Sequence, residues 1–313
     1  MFWTIIDKIR LLLFFSRKGV KMSKIGIATD SHSGITPAMA AKMGVRLLPM
    51  PFYVEEECFY EEVSITRAEF FEQLNADKKV STSQPSPEAV LEFWREGLKE
   101  YDEIIYMPMS SGLSGSCGTA MMLAQDEEFE GKVFVVDNGR VSTPLVRAIM
   151  DAQEMVEEGL SAAKIKEVLE AYKEKMSIYI AVETLEFLRK GGRISATTAA
   201  LGTALNIKPI LKLGTQVLET YKKSRGMKKA KEEMLEAIRE DLDVTFKEYH
   251  DKGEAYLLVA TSADEETTNA WVEEVKAAFP GMDVLAGNLS LGICCHTGEG
   301  ALGVGISCKP QRG

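Results

Sequence analysis

The chain has 313 residues, room for two domains of ordinary size, and 45% of them are apolar, so sizeable cores can form. Lys and Arg number 37 against 47 Asp and Glu, a formal charge of −10, which argues against a general nucleic-acid binder because that role needs a basic face. Five irregularly spaced cysteines argue against a disulfide framework, and the whole balance fits a cytoplasmic protein.

Residues 1–21 stand apart. The stretch from Phe2 to Phe15 is apolar but carries Asp7, Lys8 and Arg10. Its uninterrupted apolar run, Leu11 to Phe15, is too short to span a bilayer, and no small-residue cleavage site of a signal peptide follows. The segment reads as an extension ahead of a start at Met22. The alternative is an interfacial amphipathic helix, with transient membrane contact.

Strands and helices then alternate. Residues 24–29 read as an apolar strand that stops at Asp30-Ser31, and Thr36-Pro37 as an N-cap with proline at the first helical position. Residues 45–54 read as extended, with prolines at 49 and 51 suiting an edge or a bend. Thr66 and Glu69 form a capping box ahead of Phe70, Phe71 and Leu74. Ser86-Pro87 opens a helix reaching 99. A strand at 103–109 feeds a Ser/Gly turn at 110–116, and a helix follows at 117–125. Next come a strand at 132–137, a helix from Thr143-Pro144 and an amphipathic helix at 161–175. This alternation predicts a parallel, Rossmann-like sheet with helices on both faces over 24–175.

The second half opens with a strand at 177–182. A short helix leads to Gly191-Gly192-Arg193-Ile194-Ser195, and extended runs at 207–213 and 216–222 flank Gly214-Thr215 as a hairpin. One long charged helix is expected over 227–250, then a strand at 254–262, a helix at 264–278 and strands at 282–295 and 302–308. The mixed order predicts a second, mixed α/β domain over 176–309.

Three turns concentrate the polar chemistry. The turn at 110–116 falls at the carboxyl edge of the predicted parallel sheet, where ligands bind. Backbone N–H groups at a helix start attract anions, Ser114 adds a hydroxyl, and Gly112 and Gly115 allow close approach. The plainer reading is a tight strand–helix turn. Thr82-Ser83-Gln84-Pro85-Ser86 and Cys295-His296-Thr297-Gly298 bring more hydroxyls and an imidazole. Such a set can fix one small anion; it supplies no metal-ligand pair and no obvious acid–base couple.

Other patterns compete with these. Gly112 to Ser116 comes close to the nucleophile elbow G-x-S-x-G, with Ser116 in place of the last glycine, so a serine hydrolase of lipid esters using Ser114 and His296 is the alternative. Cys294 and Cys295 read as half-buried strand cysteines, since adjacent ligands rarely close a tetrahedral metal site. Gly298 to Gly303 matches G-x-G-x-x-G but lacks a following helix and reads as a turn between two closing strands. Arg193, after two glycines, reads as presented toward a phosphate or an acidic partner. Arg225 with Lys222, Lys223, Lys228 and Lys229 makes a basic patch, either a solvated helix start or a docking site. His32 and His250 carry no pattern and read as surface residues.

Taken in order, Thr-Asp-Ser at 29–31, Thr-Ser-Gln-Pro-Ser at 82–86, Ser-Ser-Gly-Leu-Ser-Gly-Ser at 110–116, Lys-Gly-Gly-Arg-Ile-Ser at 190–195 and His-Thr-Gly-x-Gly-Ala-Leu-Gly at 296–303 closely resemble the DegV family over residues 24–308. These are the fatty-acid-binding proteins of the bacterial fatty acid kinase system. The resemblance implies a two-domain α/β carrier that needs no cofactor and holds one long-chain fatty acid in a buried tunnel. A separate ATP-dependent kinase, related to dihydroxyacetone kinases, would phosphorylate the carboxylate, and the acyl phosphate would leave for phospholipid synthesis. It further implies that Thr82 and Ser114 hydrogen-bond the carboxylate with Ser83 and His296 beside them, that Arg193 acts near the kinase-facing mouth, and that Arg225 lies on the docking surface. Two departures are Ser116, where threonine is frequent, and Glu299, whose carboxylate would repel a bound carboxylate unless it points outward.

Overall fold

A computed structural model of the chain describes residues 23–194, 207–213 and 218–312. The segment 1–21, Met22, Ser195 and the expected turn at Gly214-Thr215 lie outside these residues. The first half runs β1 (Ile25–Asp30), a 3-10 turn (Ser31–Ser33), α1 (Pro37–Met43), β2 (Val45–Leu48), β3 (Phe52–Val54), β4 (Glu57–Phe59), α2 (Arg67–Asn75), β5 (Val80–Thr82), α3 (Pro87–Leu98), β6 (Glu103–Met107), α4 (Ser116–Leu123), β7 (Val133–Val135), α5 (Ser142–Glu157) and α6 (Ala162–Ala171). As the alternation predicts, β2-β1-β6-β7 form a parallel sheet.

Local chemistry sets several boundaries. Thr36 accepts from Met39 N–H ahead of Pro37, and both halves of the Thr66–Glu69 capping box are made. The extended run expected at 45–54 divides instead. Its two prolines lack the N–H a ladder needs, so β2 stays in the parallel sheet while β3 becomes the centre of a separate antiparallel sheet, β4-β3-β5.

The second half runs β8 (Met176–Ala181), α7 (Glu186–Gly191), β9 (Ile207–Leu213), β10 (Leu218–Arg225), α8 (Met227–Glu240), α9 (Lys247–Asp251), β11 (Ala255–Thr261), α10 (Glu265–Ala278), β12 (Val284–Asn288), α11 (Leu291–Thr297) and β13 (Leu302–Cys308). Its six strands pair in the order β10-β9-β8-β13-β11-β12, parallel only between β11 and β12. This is the mixed sheet the strand order predicts.

Two expectations fail here. The helix expected over 227–250 is interrupted by a π turn at Asp241–Thr245. The widened turn seats Asp241 inside, where its carboxylate accepts from Tyr179 Oη at 2.8 Å, and buries both Leu242 and Phe246. The strand expected over 282–295 stops at Asn288, and α11 follows, so Cys294, Cys295 and His296 sit on a helix. A short apolar run has no periodicity to separate the two states. Long-range anchoring decides: Glu61 Oε2 accepts Leu291 N–H at 2.9 Å, far away in sequence. The Gly298–Gly303 turn therefore joins a helix to a strand, with Gly298 at φ 72°.

Apolar side chains fill both faces of each large sheet. One face of the second sheet packs on α8 and α10, through Met234, Ile238, Trp271 and Val275. On its other face Ile180 and Leu211 cluster with Phe52 and Phe70 of the inserted segment and with Leu291 of α11. The small sheet and α11 are thereby pressed together, which brings β5 beside His296.

Candidate functional site

Four segments converge on a cavity of about 240 Å³: the end of β5, the turn before α4, the end of α7 with Arg193, and α11. Thr82, Ser83, Ser114, Arg193 and His296 all line it, as does His32. The turn before α4 is braced by Ser110 N–H to Arg140 O at 2.8 Å and by Ser111 Oγ to Asp137 Oδ2 at 2.6 Å. Ser114 Oγ accepts from Ser116 N–H at 3.2 Å and donates to Ser116 Oγ at 2.9 Å. The serine that departs from the frequent threonine therefore still supplies the hydroxyl that orients Ser114.

His296 is held by what surrounds it. Its Nε2 lies 2.9 Å from Thr82 Oγ1. Its ring lies against Gly191, where an added Cβ would come within 2.0 Å of Nδ1. No partner among the described residues meets that buried Nδ1. Burial first, and the nearby Arg193 charge second, push His296 down to about 4, so its ring is neutral at physiological pH. Arg193 itself is half-buried; its Nη1 donates to Gly191 O at 2.6 Å and its Nε to Leu113 O at 3.3 Å. No carboxylate among the described residues pairs with it. The site thus offers one unneutralised guanidinium, two neutral imidazoles and several hydroxyls, which is the chemistry of an anion site.

His32 is not a surface residue. It is buried, Nδ1 lies 3.1 Å from Ser290 Oγ, and its ring crowds Gly292, where a Cβ would come within 2.3 Å. Burial pushes it down to about 3. Beside it Asp30 accepts from His32 N–H and Met109 N–H, both at 2.9 Å, and burial raises its carboxyl to about 7. The signal was available: His32 follows a parallel strand at the carboxyl edge, where ligands bind.

Of the remaining candidates, Ser83 lies at the edge of the cavity and the others outside it. Ser83 is exposed at the rim and donates to Gln84 O at 3.1 Å. Arg225 is exposed at the end of β10 and does not line the cavity. Glu299 points outward and accepts from Asn75 Nδ2 at 2.9 Å, which removes the expected clash with a bound anion. Cys294 and Cys295 are fully buried on α11 rather than half-buried on a strand, and burial raises both thiols, Cys294 to about 12.

A second cavity of about 80 Å³ adjoins the first, with Leu113, Leu218, Ile293 and Thr297 lining both. Its walls are mostly hydrocarbon from the second sheet, including Ile178, Ile180, Leu258 and Val304. A cavity that carries hydroxyls, imidazoles and a guanidinium therefore shares a wall with one lined mostly by hydrocarbon. A hydrolytic triad is not assembled: Ser114 bonds Ser116, His296 bonds Thr82, and no acid holds the other ring nitrogen among the described residues.

Residues 24–309 match the family described as uncharacterised proteins of the DegV family. The chain belongs to the DegV family. A DegV domain-containing protein of Deinococcus radiodurans is 32% identical over 285 residues, covering 90% of this chain and 98% of that one. The structure of a fatty-acid-binding DegV family protein from Thermus thermophilus superposes with a TM-score of 0.79 at 33% identity, covering 91% of this chain and 99% of that one. Bacillus subtilis DegV, a fatty acid binding protein, gives a TM-score of 0.79 at 28% identity over 92% and 100%. The Thermus thermophilus and Bacillus subtilis proteins bind fatty acids, and this chain shares their fold.

Proposed function

We propose that this DegV-family protein binds one long-chain fatty acid and catalyses nothing itself. In this reading the carboxylate occupies the chamber beside Thr82, Ser83, Ser114 and His296, and the acyl chain runs into the apolar cavity. The observation that carries it is Arg193, a guanidinium with no carboxylate partner among the described residues, in the hydroxyl-bearing cavity and bonded to the carbonyl of Leu113, which also lines the hydrocarbon one.

The energetics divide the labour. Each buried methylene contributes about 0.8 kcal/mol, so a sixteen-carbon chain contributes on the order of 12 kcal/mol before ordering costs. Each hydrogen bond to the carboxylate adds roughly 1.5–3 kcal/mol and fixes its orientation. The tail supplies affinity and the polar turns supply direction.

A separate ATP-dependent kinase, related to dihydroxyacetone kinases, phosphorylates the presented carboxylate, with Arg193 at the mouth and the Arg225 patch on the docking surface. The acyl phosphate then serves phospholipid synthesis in the cytoplasm, and no cofactor is required. The division of the chain near residue 176 belongs to this proposal, with the lipid tunnel between or beside the two domains.

Titration calorimetry of delipidated protein with palmitate and oleate tests the binding step; saturable one-to-one uptake is expected, and rejection of both overturns it. Labelling of Ser114 by a fluorophosphonate, with ester turnover, would instead favour the hydrolase reading.

A further inference from the structure

The apolar cavity has one polar corner. Ser142 and Thr143, at the start of α5, both line it and are 3% and 4% exposed. Neither hydroxyl has a hydrogen-bond partner among the described residues. Thr143 turns its methyl toward β12, with Cγ2 3.0 Å from where a Cβ on Gly287 would stand. The helix they open runs for 16 residues, and no side chain caps it. The first N–H groups of any helix lack intrahelical acceptors, so this corner is doubly short of oxygen.

A buried hydroxyl without a partner is costly, and two side by side in a hydrocarbon wall call for an atom the protein does not supply. Ile178, Ile180, Leu213, Leu258 and Val304 around them can hold methylenes but cannot answer a hydroxyl. At about 80 Å³ the cavity has room for a short stretch of chain with one small substituent.

We propose that Ser142 and Thr143 form a distal polar subsite, and that the preferred ligand is a long-chain fatty acid carrying a hydroxyl on the half of its chain away from the carboxylate. The proposal rests on the reading that the carboxylate lies in the Arg193 chamber. A ligand hydroxyl can accept from one side chain and donate to the other, which a ketone or ether oxygen cannot do. An unsubstituted chain leaves both side chains facing methylenes, so discrimination comes from the missing partner as much as from the bond gained.

The test is calorimetric titration of the delipidated full chain with stearate and with a set of hydroxystearates whose hydroxyl steps along the distal half. At least one hydroxystearate is expected to bind roughly tenfold more tightly than stearate, since a satisfied hydroxyl is typically worth about that factor. Two variants assign the preference. Thr143→Val is isosteric and breaks no existing hydrogen bond. Ser142→Gly removes the other hydroxyl at a residue whose φ is 52°, a conformation glycine adopts freely. Each is expected to bring the affinity ratio toward one. Stearate binding tightly and matching every isomer overturns the subsite while leaving the carrier reading intact; a preference that survives both substitutions also overturns it. Rejection of stearate and of all the hydroxystearates overturns both readings together.

Discussion

At Gly191 a single methyl group decides whether the site can form. The His296 imidazole occupies the space a Cβ would need, at 2.0 Å from Nδ1. Gly191→Ala is therefore expected to push the ring off Thr82 and weaken fatty-acid binding at least tenfold, on the order of 1.4 kcal/mol, as read by calorimetry. Ser114→Ala is expected to slow kinase-dependent acyl-phosphate formation without moving the melting temperature; an unchanged rate would remove Ser114 from the site. His32 gives a pH signature. Its folded pKa, depressed to about 3 by burial, lies below the ordinary 6.5, so the unfolded chain binds a proton in that window that the folded chain does not. Stability from His32 is present above 6.5 and drains away as pH falls. Asp30 has the opposite sign: raised to about 7, it contributes stability at low pH that is lost as pH rises through 7. His32→Gln is expected to flatten the acid limb by a few kcal/mol, read from melts between about pH 7 and pH 4. An acid limb as steep as the wild type's would contradict the assignment. Hydroxyls in Ser- and Gly-rich turns were legible by type and spacing, whereas His32 showed only through its place after a parallel strand, because a lone histidine carries no local pattern of burial.

Elements with chemical punctuation were legible, and those fixed from a distance were not. Thr36-Pro37, the Thr66–Glu69 capping box and Ser86-Pro87 each announce a helix by pairing a cap with its own backbone, and each is observed. The π turn after α8 depends on Tyr179, and the N-terminus of α11 on Glu61, partners from other parts of the chain. Glu61 therefore carries more of the site than its position implies. Burial raises its carboxyl to about 7, yet it still accepts from Leu291 N–H. Glu61→Ala is expected to speed hydrogen exchange across α11 and, through His296, to weaken fatty-acid binding, with exchange in the central strands β8 and β13 unchanged. Slow exchange in α11 of the variant would show that the helix needs no such anchor.

Across the whole molecule, alternation of strands and helices foretold a parallel sheet, and the reordered second half foretold a mixed one. What pattern alone could not convey is how the segment from Phe52 to Thr82 leaves the first sheet and packs on the second, placing β5 against α11. That crossing makes one chamber from residues scattered between positions 32 and 297. Its charge gives the central claim: the chamber holds a guanidinium, Arg193, that no carboxylate among the described residues pairs with, bonded to the carbonyl of Leu113, a residue that lines both cavities. The most direct measurement is mass spectrometry of lipid extracted from the natively purified chain and from Arg193→Ala. One long-chain fatty acid per wild-type chain, with a much reduced yield from the variant, is the expected result. A wild-type chain that emerges empty, or a variant that retains as much fatty acid, would contradict the account.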